Sequence, residues 1–331
     1  MHSRTKAHVS EEQLVTMLEV AGLTEYTKVV ELTGGEFNLA FKIFTEQGNY
    51  IMKVGPNPFT DMLTYERNIM AVELWAYEEV RKQTTITIPE IIYQGHDVIG
   101  NHWFVMTEMA GKLLCDSELT DTQLYQWYYQ FGQALAQLHN IKGEGFGYQQ
   151  VRLHPSWKEA YYDMVLTLLE DTEKQGNTWP DTGRILRFIR KWEKALEEVG
   201  EPRLIHFDLF NNNVFADPEG NFAGFIDTER CFFGDYYADF FAIDFLGHLE
   251  DNHGLIEGYN SVAQEKITFT PYARARVALS RLMLGLLMFS EGTTRLATSD
   301  PEYWDRKLLA TQIIEFAMKE MAEVEVPKSL K

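Results

Sequence analysis

The stretch Leu204–Phe240, LIHFDLFNNNVFADPEGNFAGFIDTERCFFGDYYADF, decides how the chain is read. His206, Asp208, Asn213, Asp227 and Asp239 sit at fixed spacing within apolar, strand-like surroundings. An aspartate followed five residues later by an asparagine, then by an aspartate closing a strand-like run, suits phosphoryl transfer to a hydroxyl: one group orients the nucleophile and two hold metal. Magnesium prefers hard oxygen ligands, which Asn213 and Asp227 can supply. The intervening residues alternate enough to form a hairpin about Pro218-Glu219-Gly220, and closing it brings Asn213 and Asp227 together. Taken singly, Asp208 or Asn213 is an ordinary turn former and His206 an ordinary core histidine. The joint spacing carries the chemical reading.

Working outward, Ser10 with Gln13 forms a capping box that opens a short helix. From Thr27 to Val54, KVVELT, FNLAFKIFT and NYIMKV read as an antiparallel meander broken at Gly34-Gly35 and Gln47-Gly48-Asn49. A helix is expected over about 61–81, then two strands in IPEIIYQGHD and NHWFVMTEM, before Gly111 breaks the pattern. Thr120 and Gln123 open a long helix with Leu124, Trp127, Tyr128, Phe131, Leu135 and Leu138 on one face. Further helices are expected over about 155–173, 183–199, 272–290 and 301–324, the last with Pro301 at its first position. The fold class is α+β in two lobes. Residues 1–108 form a lobe of antiparallel sheet plus helix, with a leading helix; 109–331 form a larger, mostly helical lobe that holds the His206–Asp239 segment. The cleft between lobes is where ligands are expected.

HFDLFNNN, GFIDTE and GDYYAD, in that order, resemble the HxDxxxxN, IDxE and GDxxxD pattern of the aminoglycoside phosphotransferases and choline-kinase-like small-molecule kinases, which share a protein-kinase-like fold. The resemblance implies that Asp208 is the catalytic aspartate, Asn213 and Asp227 are magnesium ligands, His206 braces the catalytic loop and Asp239 is structural. It further implies that Lys53 neutralises nucleotide phosphates, held by a helix carboxylate. Glu66 and Glu73 lie on nearly the same face of the expected helix; Glu73 fits the family's spacing better and Glu66 is the reserve, although either could be a plain surface charge. Gly34 and Gly35, in the turn TGGEFN, would cover the phosphates, and FVMTEM resembles the hinge that holds adenine, through Met106, Glu108 and Met109. No HRD arginine, DFG glycine or APE is present, so the resemblance is not to protein kinases with an activation loop.

The 331 residues, 45% of them hydrophobic, carry a formal charge of −19. Such an acidic chain is ill suited to nucleic acid or to an anionic membrane surface, and no run is long and apolar enough for a signal peptide or a span. Two cysteines in no metal-binding spacing point to a reducing, cytoplasmic setting. The expected activity is ATP- and Mg²⁺-dependent transfer of the γ-phosphoryl group to a hydroxyl of a small, cationic molecule (antibiotic, amino alcohol or sugar), with Glu229 and Asp235 as substrate contacts. Two alternatives stand beside it. One is a nucleotide-binding pseudokinase; the other takes His206 and Asp208, with His248 or His253, as ligands of a non-haem iron.

Overall fold

The computed structural model describes residues 4–35, 37–97, 100–241 and 244–327. Its first part is a five-stranded antiparallel sheet in the order β1-β2-β3-β5-β4. The strands are β1 (Tyr26–Leu32), β2 (Leu39–Thr45), β3 (Gly48–Val54), β4 (Ile91–His96) and β5 (His102–Thr107). β-Branched and aromatic side chains alternate along them, as a half-buried pleated surface requires. Lys53 lies on the central strand β3, opposite Ala40 on one side and Phe104 on the other. One face of the sheet is covered by α1 (Glu11–Val20), whose Ser10–Gln13 capping box is formed; Met17 and Leu18 pack there with Ile43, Met52 and Val105.

The other face receives α2 (Ile69–Gln83), which begins later than its pattern suggests. Arg67 is extended and Asn68 is left-handed at φ 56°. Residues 61–68 therefore form a loop with a single 3₁₀ turn, because Tyr65 and Glu66 are drawn into buried contacts with the helical part rather than along a helix face.

The second part begins with the short strand β6 (Lys112–Leu113) and the capping-box helix α3 (Asp121–Leu138). It continues through α4 (Trp157–Lys174), α5 (Thr182–Lys191) and α6 (Glu193–Glu197). Strands β7 (Arg203–Ile205), β8 (Val214–Ala216), β9 (Phe222–Phe225) and β10 (Phe232–Gly234) follow, then α7 (His253–Val262), α8 (Pro271–Arg295) and α9 (Pro301–Glu320). The β8–β9 hairpin turns at Asp217–Gly220 as its sequence predicts. α8 is buried around nearly its whole circumference from Ala273 to Arg295 and forms the axis of this lobe; its charged side chains Arg276, Arg281, Glu291 and Arg295 are buried in ion pairs.

The sequence pattern does not reveal α7, because Gly254 and Gly258 interrupt its apolar spacing. Those glycines let it lie against the backbone of α3: a Cβ on Gly258 would fall 1.9 Å from the Tyr129 carbonyl oxygen, and one on Gly132 would fall 2.3 Å from that of Leu255. Gly258→Ala is expected to destabilise the protein by about 1–3 kcal/mol through overpacking, read as a lower urea midpoint with unchanged slope.

Candidate active site

β3 and α2 create the first half of the site. The Lys53 ammonium donates to Glu73 Oε2 at 2.7 Å, to Asp227 Oδ1 at 2.6 Å and to Glu229 Oε2 at 2.9 Å. Glu73 is fully buried on α2. Of the two helix carboxylates left open by the sequence, Glu73 therefore meets Lys53, while Glu66 pairs with Arg295 at 2.7 Å. The Glu229 carboxylate also accepts from Asn38 Nδ2 at 2.5 Å, tying the turn after Gly34 and Gly35 to the helical lobe. Glu36, within that turn, lies outside the described residues.

The second half is built by the strand-and-loop segment 203–234. Asp239 accepts the amides of His206 (3.0 Å) and Phe207 (2.7 Å) and also contacts His139 Nε2 at 3.0 Å. These bonds hold Phe207 at φ 64°, an uncommon backbone for a non-glycine residue, and turn the chain so that Asp208 leaves the strand direction. The fully buried His206 ring braces this bend: Nδ1 accepts the Asp208 amide at 3.3 Å, and Nε2 donates to the Ile226 carbonyl at 3.1 Å. Burial keeps the imidazole below its usual pKa, which suits a neutral ring with its proton on Nε2.

Asn213 donates its amide to the Asp208 carbonyl at 2.8 Å, and its backbone carbonyl accepts from Ile226 at 2.9 Å. The hairpin register thereby sets Asn213 beside Asp227. Asp227 is itself left-handed, at φ 68°, and its amide donates to the Tyr77 hydroxyl at 2.9 Å. Glu73, Asp227 and Glu229 each offer an oxygen within 4.8 Å of the others, and Glu73 Oε1 is buried without a hydrogen-bond partner. These are hard oxygens of the kind a divalent cation takes, and in the structure the three carboxylates surround the Lys53 ammonium.

The site's electrostatics follow from burying one ammonium among three carboxylates. Burial raises Glu73 to about 8; Lys53 opposes that rise and Asp227 and Glu229 reinforce it. Asp208 is also pushed well above the ordinary aspartate range by burial, and the Arg230 guanidinium beside it opposes the shift without cancelling it. Arg230 Nη1 lies 2.5 Å from Asp208 Oδ1. Sequence reasoning gave no role to Arg230, Asn38 or Tyr77; the only signal for Arg230 was its place three residues after Asp227.

The structure corrects several expected contacts. Asp235 is 1% exposed and held by Arg276 through Nε at 2.7 Å and Nη2 at 2.5 Å, so its carboxylate has no face toward an acceptor. Glu229 sits on Lys53 rather than in a separate substrate region. In the hinge, the Glu108 side chain pairs with Lys42 and Asn49 while its amide donates to the Asn49 carbonyl at 3.0 Å; Met106 and Met109 are buried. The iron set is not assembled. His248 contacts Glu320 at 3.0 Å, and among the described residues the only grouping of three or more potential metal-binding side chains is Glu73, Asp227 and Glu229.

Residues 28–259 match the model of the phosphotransferase enzyme family, which spans well over half of the sequence. The chain belongs to that family. Family relatives include a probable ketoamine kinase of Vibrio parahaemolyticus, 24% identical over 254 residues, covering 72% of this chain and 80% of the relative. The fold is the protein-kinase-like one of family structures such as a candidate fructosamine-3-kinase from Haemophilus somnus (TM-score 0.65, 16% identity, 91% of this chain and 96% of that one). A mutant aminoglycoside phosphotransferase in ternary complex with ADP and hygromycin B is similar in the same way (TM-score 0.64, 16% identity, 94% and 98%). As a family member the chain is a kinase-type phosphotransferase acting on hydroxyl groups of small molecules.

The raised Glu73 has a consequence for stability. The folded protein holds a proton there that the unfolded chain releases near 4.5, so this contribution is complete below 4.5 and lost as pH rises through about 8. The melting temperature of Glu73→Gln relative to the parent protein should therefore climb between about pH 5 and about pH 8. Differential scanning fluorimetry across that range tests it; parallel melting curves would show that Glu73 does not titrate there.

Proposed function

We propose that the chain transfers the γ-phosphoryl group of ATP, with Mg²⁺, to a hydroxyl of a small amine-bearing molecule, with a ketoamine as the leading acceptor class. The observation that carries this reading is the convergence of Lys53 and Glu73, from the sheet and its helix, on the segment that carries Asp208, Asn213 and Asp227, joined through the Lys53–Asp227 contact. Lys53 binds phosphate oxygens, and Glu73 keeps its ammonium aimed at them. Asp208 accepts the hydrogen bond of the acceptor hydroxyl and orients it for in-line attack. Asn213 and Asp227 hold the cation, with Glu229 near enough to join them; bound Mg²⁺ supplies neutralisation of phosphate charge. Gly34 and Gly35 leave the turn open for close approach of the phosphates, and the backbone of 106–109 receives the base. The ketoamine relatives support the acceptor class, as do the acidic charge of the chain and the preponderance of carboxylate in the site.

A cavity of about 390 Å³ supports the cationic character of the acceptor. Tyr125, Tyr128 and Phe241 line it together with Asp121, Asp244 and Asp251, while Arg281, also in its wall, is held by Glu320 and the Gly247 carbonyl; Phe241 packs edge-on against Phe207, beside Asp208, at 6.4 Å. Aromatic faces beside carboxylates suit an ammonium group. Elsewhere, Phe232, Phe233, Tyr236 and Tyr237 are core, Glu250 pairs with Arg274, and Trp304 projects from α9.

The test is ADP release with Mg²⁺-ATP against ketoamines, aminoglycosides including hygromycin B, amino alcohols and sugars, run beside Asp208→Asn. Acceptor-dependent release is expected from the parent protein, with a loss of about 10²-fold or more in kcat for the variant. Nucleotide-induced thermal stabilisation without turnover on any acceptor would instead favour a binding module; near-normal turnover in Asp208→Asn would refute the assigned role.

A further inference from the structure

The two lobes also meet away from Lys53. Between β3 and α2, Thr64 donates its amide at 2.6 Å and its hydroxyl at 3.0 Å to Asp171 of α4. Tyr65 stacks on Tyr148 with centroids 5.4 Å apart, its carbonyl accepts from Gln150 at 2.7 Å, and Glu66 pairs with Arg295. The N-terminal stretch joins the same place, where the Arg4 amide donates to the Arg295 carbonyl at 3.0 Å and the Asn57 amide to that of Thr5 at 3.1 Å.

Glu291 on α8 stands at the centre and is 1% exposed. Its two oxygens face different partners. Oε1 accepts from the Tyr65 hydroxyl and lies 3.0 Å from Arg295 Nη2, whereas Oε2 accepts from Arg230 Nη2 at 2.8 Å. The other terminal nitrogen of Arg230 is the one on Asp208, and its Nε is buried without a partner. The guanidinium is therefore pinned between Glu291 and Asp208. Remove Glu291 and Arg230 keeps one carboxylate anchor, about which its planar head can pivot.

We propose that Glu291 is a positioning residue for phosphoryl transfer: it fixes Arg230 against Asp208 and, through Tyr65, makes that arrangement depend on docking of segment 55–68 from the nucleotide-binding side. The proposal rests on the reading of Asp208 as the residue that orients the acceptor hydroxyl. Two arginines and three carboxylates, Asp208, Glu291 and Glu66, share one buried array. In such surroundings the loss of one partner leaves an uncompensated charge, so the array has few arrangements of comparable energy. Docking the segment completes the shell around Glu291; undocking it takes Tyr65 from Glu291 and Glu66 from Arg295, so that Arg295 competes with Arg230 for the Glu291 carboxylate. Closure of the lobes and aim of the acceptor-orienting carboxylate are thus one event.

The experiment uses the full chain with Glu291→Gln, Glu291→Asp and Tyr65→Phe. Tyr65→Phe retains the stack on Tyr148 and removes only the hydroxyl, so it serves even where Glu291→Gln folds poorly. The first readout is backbone hydrogen exchange, which needs no acceptor: both Tyr65→Phe and Glu291→Gln should speed exchange at 64–66 and, together with it, at 206–210, by about tenfold or more. The second is turnover on the acceptor identified above. There, kcat should fall about tenfold in Tyr65→Phe and further in Glu291→Gln, the KM for ATP should stay within about twofold, and Glu291→Asp should recover part of the loss. Faster exchange confined to 64–66, with 206–210 and kcat unchanged, would overturn the proposal. An inactive parent protein would count against the phosphotransferase reading of the site, and the exchange at 206–210 would still decide whether Glu291 positions Asp208.

Discussion

A single buried ammonium organises this protein. Lys53 is placed by the middle strand of the sheet, and each of its three carboxylate partners comes from elsewhere: Glu73 from α2, Asp227 and Glu229 from the turn after the β8–β9 hairpin. A lysine taken out of water is tolerated when its hydrogen bonds are satisfied and its charge is matched. Here that requires the sheet, its helix and the far lobe to be assembled together. The same contacts that satisfy Lys53 therefore bring the two halves of the site into register.

Around that contact, backbone strain sits where the site turns. Phe207 and Asp227 both adopt left-handed conformations, one immediately before Asp208 and one at a carboxylate bound to Lys53. Each is held by hydrogen bonds that a relaxed chain would not make: Asp239 grips the amides at 206 and 207, and Tyr77 receives the amide of 227. Strain of this kind persists where the surroundings over-determine it. The loop carrying Asp208 is consequently shaped by its core, through Asp239, His139 and His206.

Much of this was legible in the sequence because it depends on short-range spacing. The hairpin about Pro218-Glu219-Gly220, the capping boxes of α1 and α3, and the joint pattern of Asp208, Asn213 and Asp227 are local relations. What escaped was long-range or needed glycine packing. Helix α7 is stabilised by close approach to α3, which no periodicity records. Glu73 and Glu66 share a spacing, and only the path of residues 61–68 separates their fates. Asp235 reads as an exposed acid in its motif, and becomes a core ion pair because Arg276, 41 residues on, reaches it. Arg230 and Glu291 are 61 residues apart, a pairing that spacing cannot suggest.

An ammonium has three N–H donors, and in this structure Glu73, Asp227 and Glu229 occupy them. A phosphate oxygen can reach Lys53 only by taking the place of one of these carboxylates. Glu229 is the one also held by Asn38, in the turn that would lie over the phosphates. On the proposed reading, nucleotide entry is a substitution at nitrogen rather than a filling of empty space: one anion departs as another arrives, and the contact of Asn38 with Glu229 opens with it. On that reading the ammonium exchanges one anionic contact for a similar one, and its net contribution to nucleotide binding is the difference between the two.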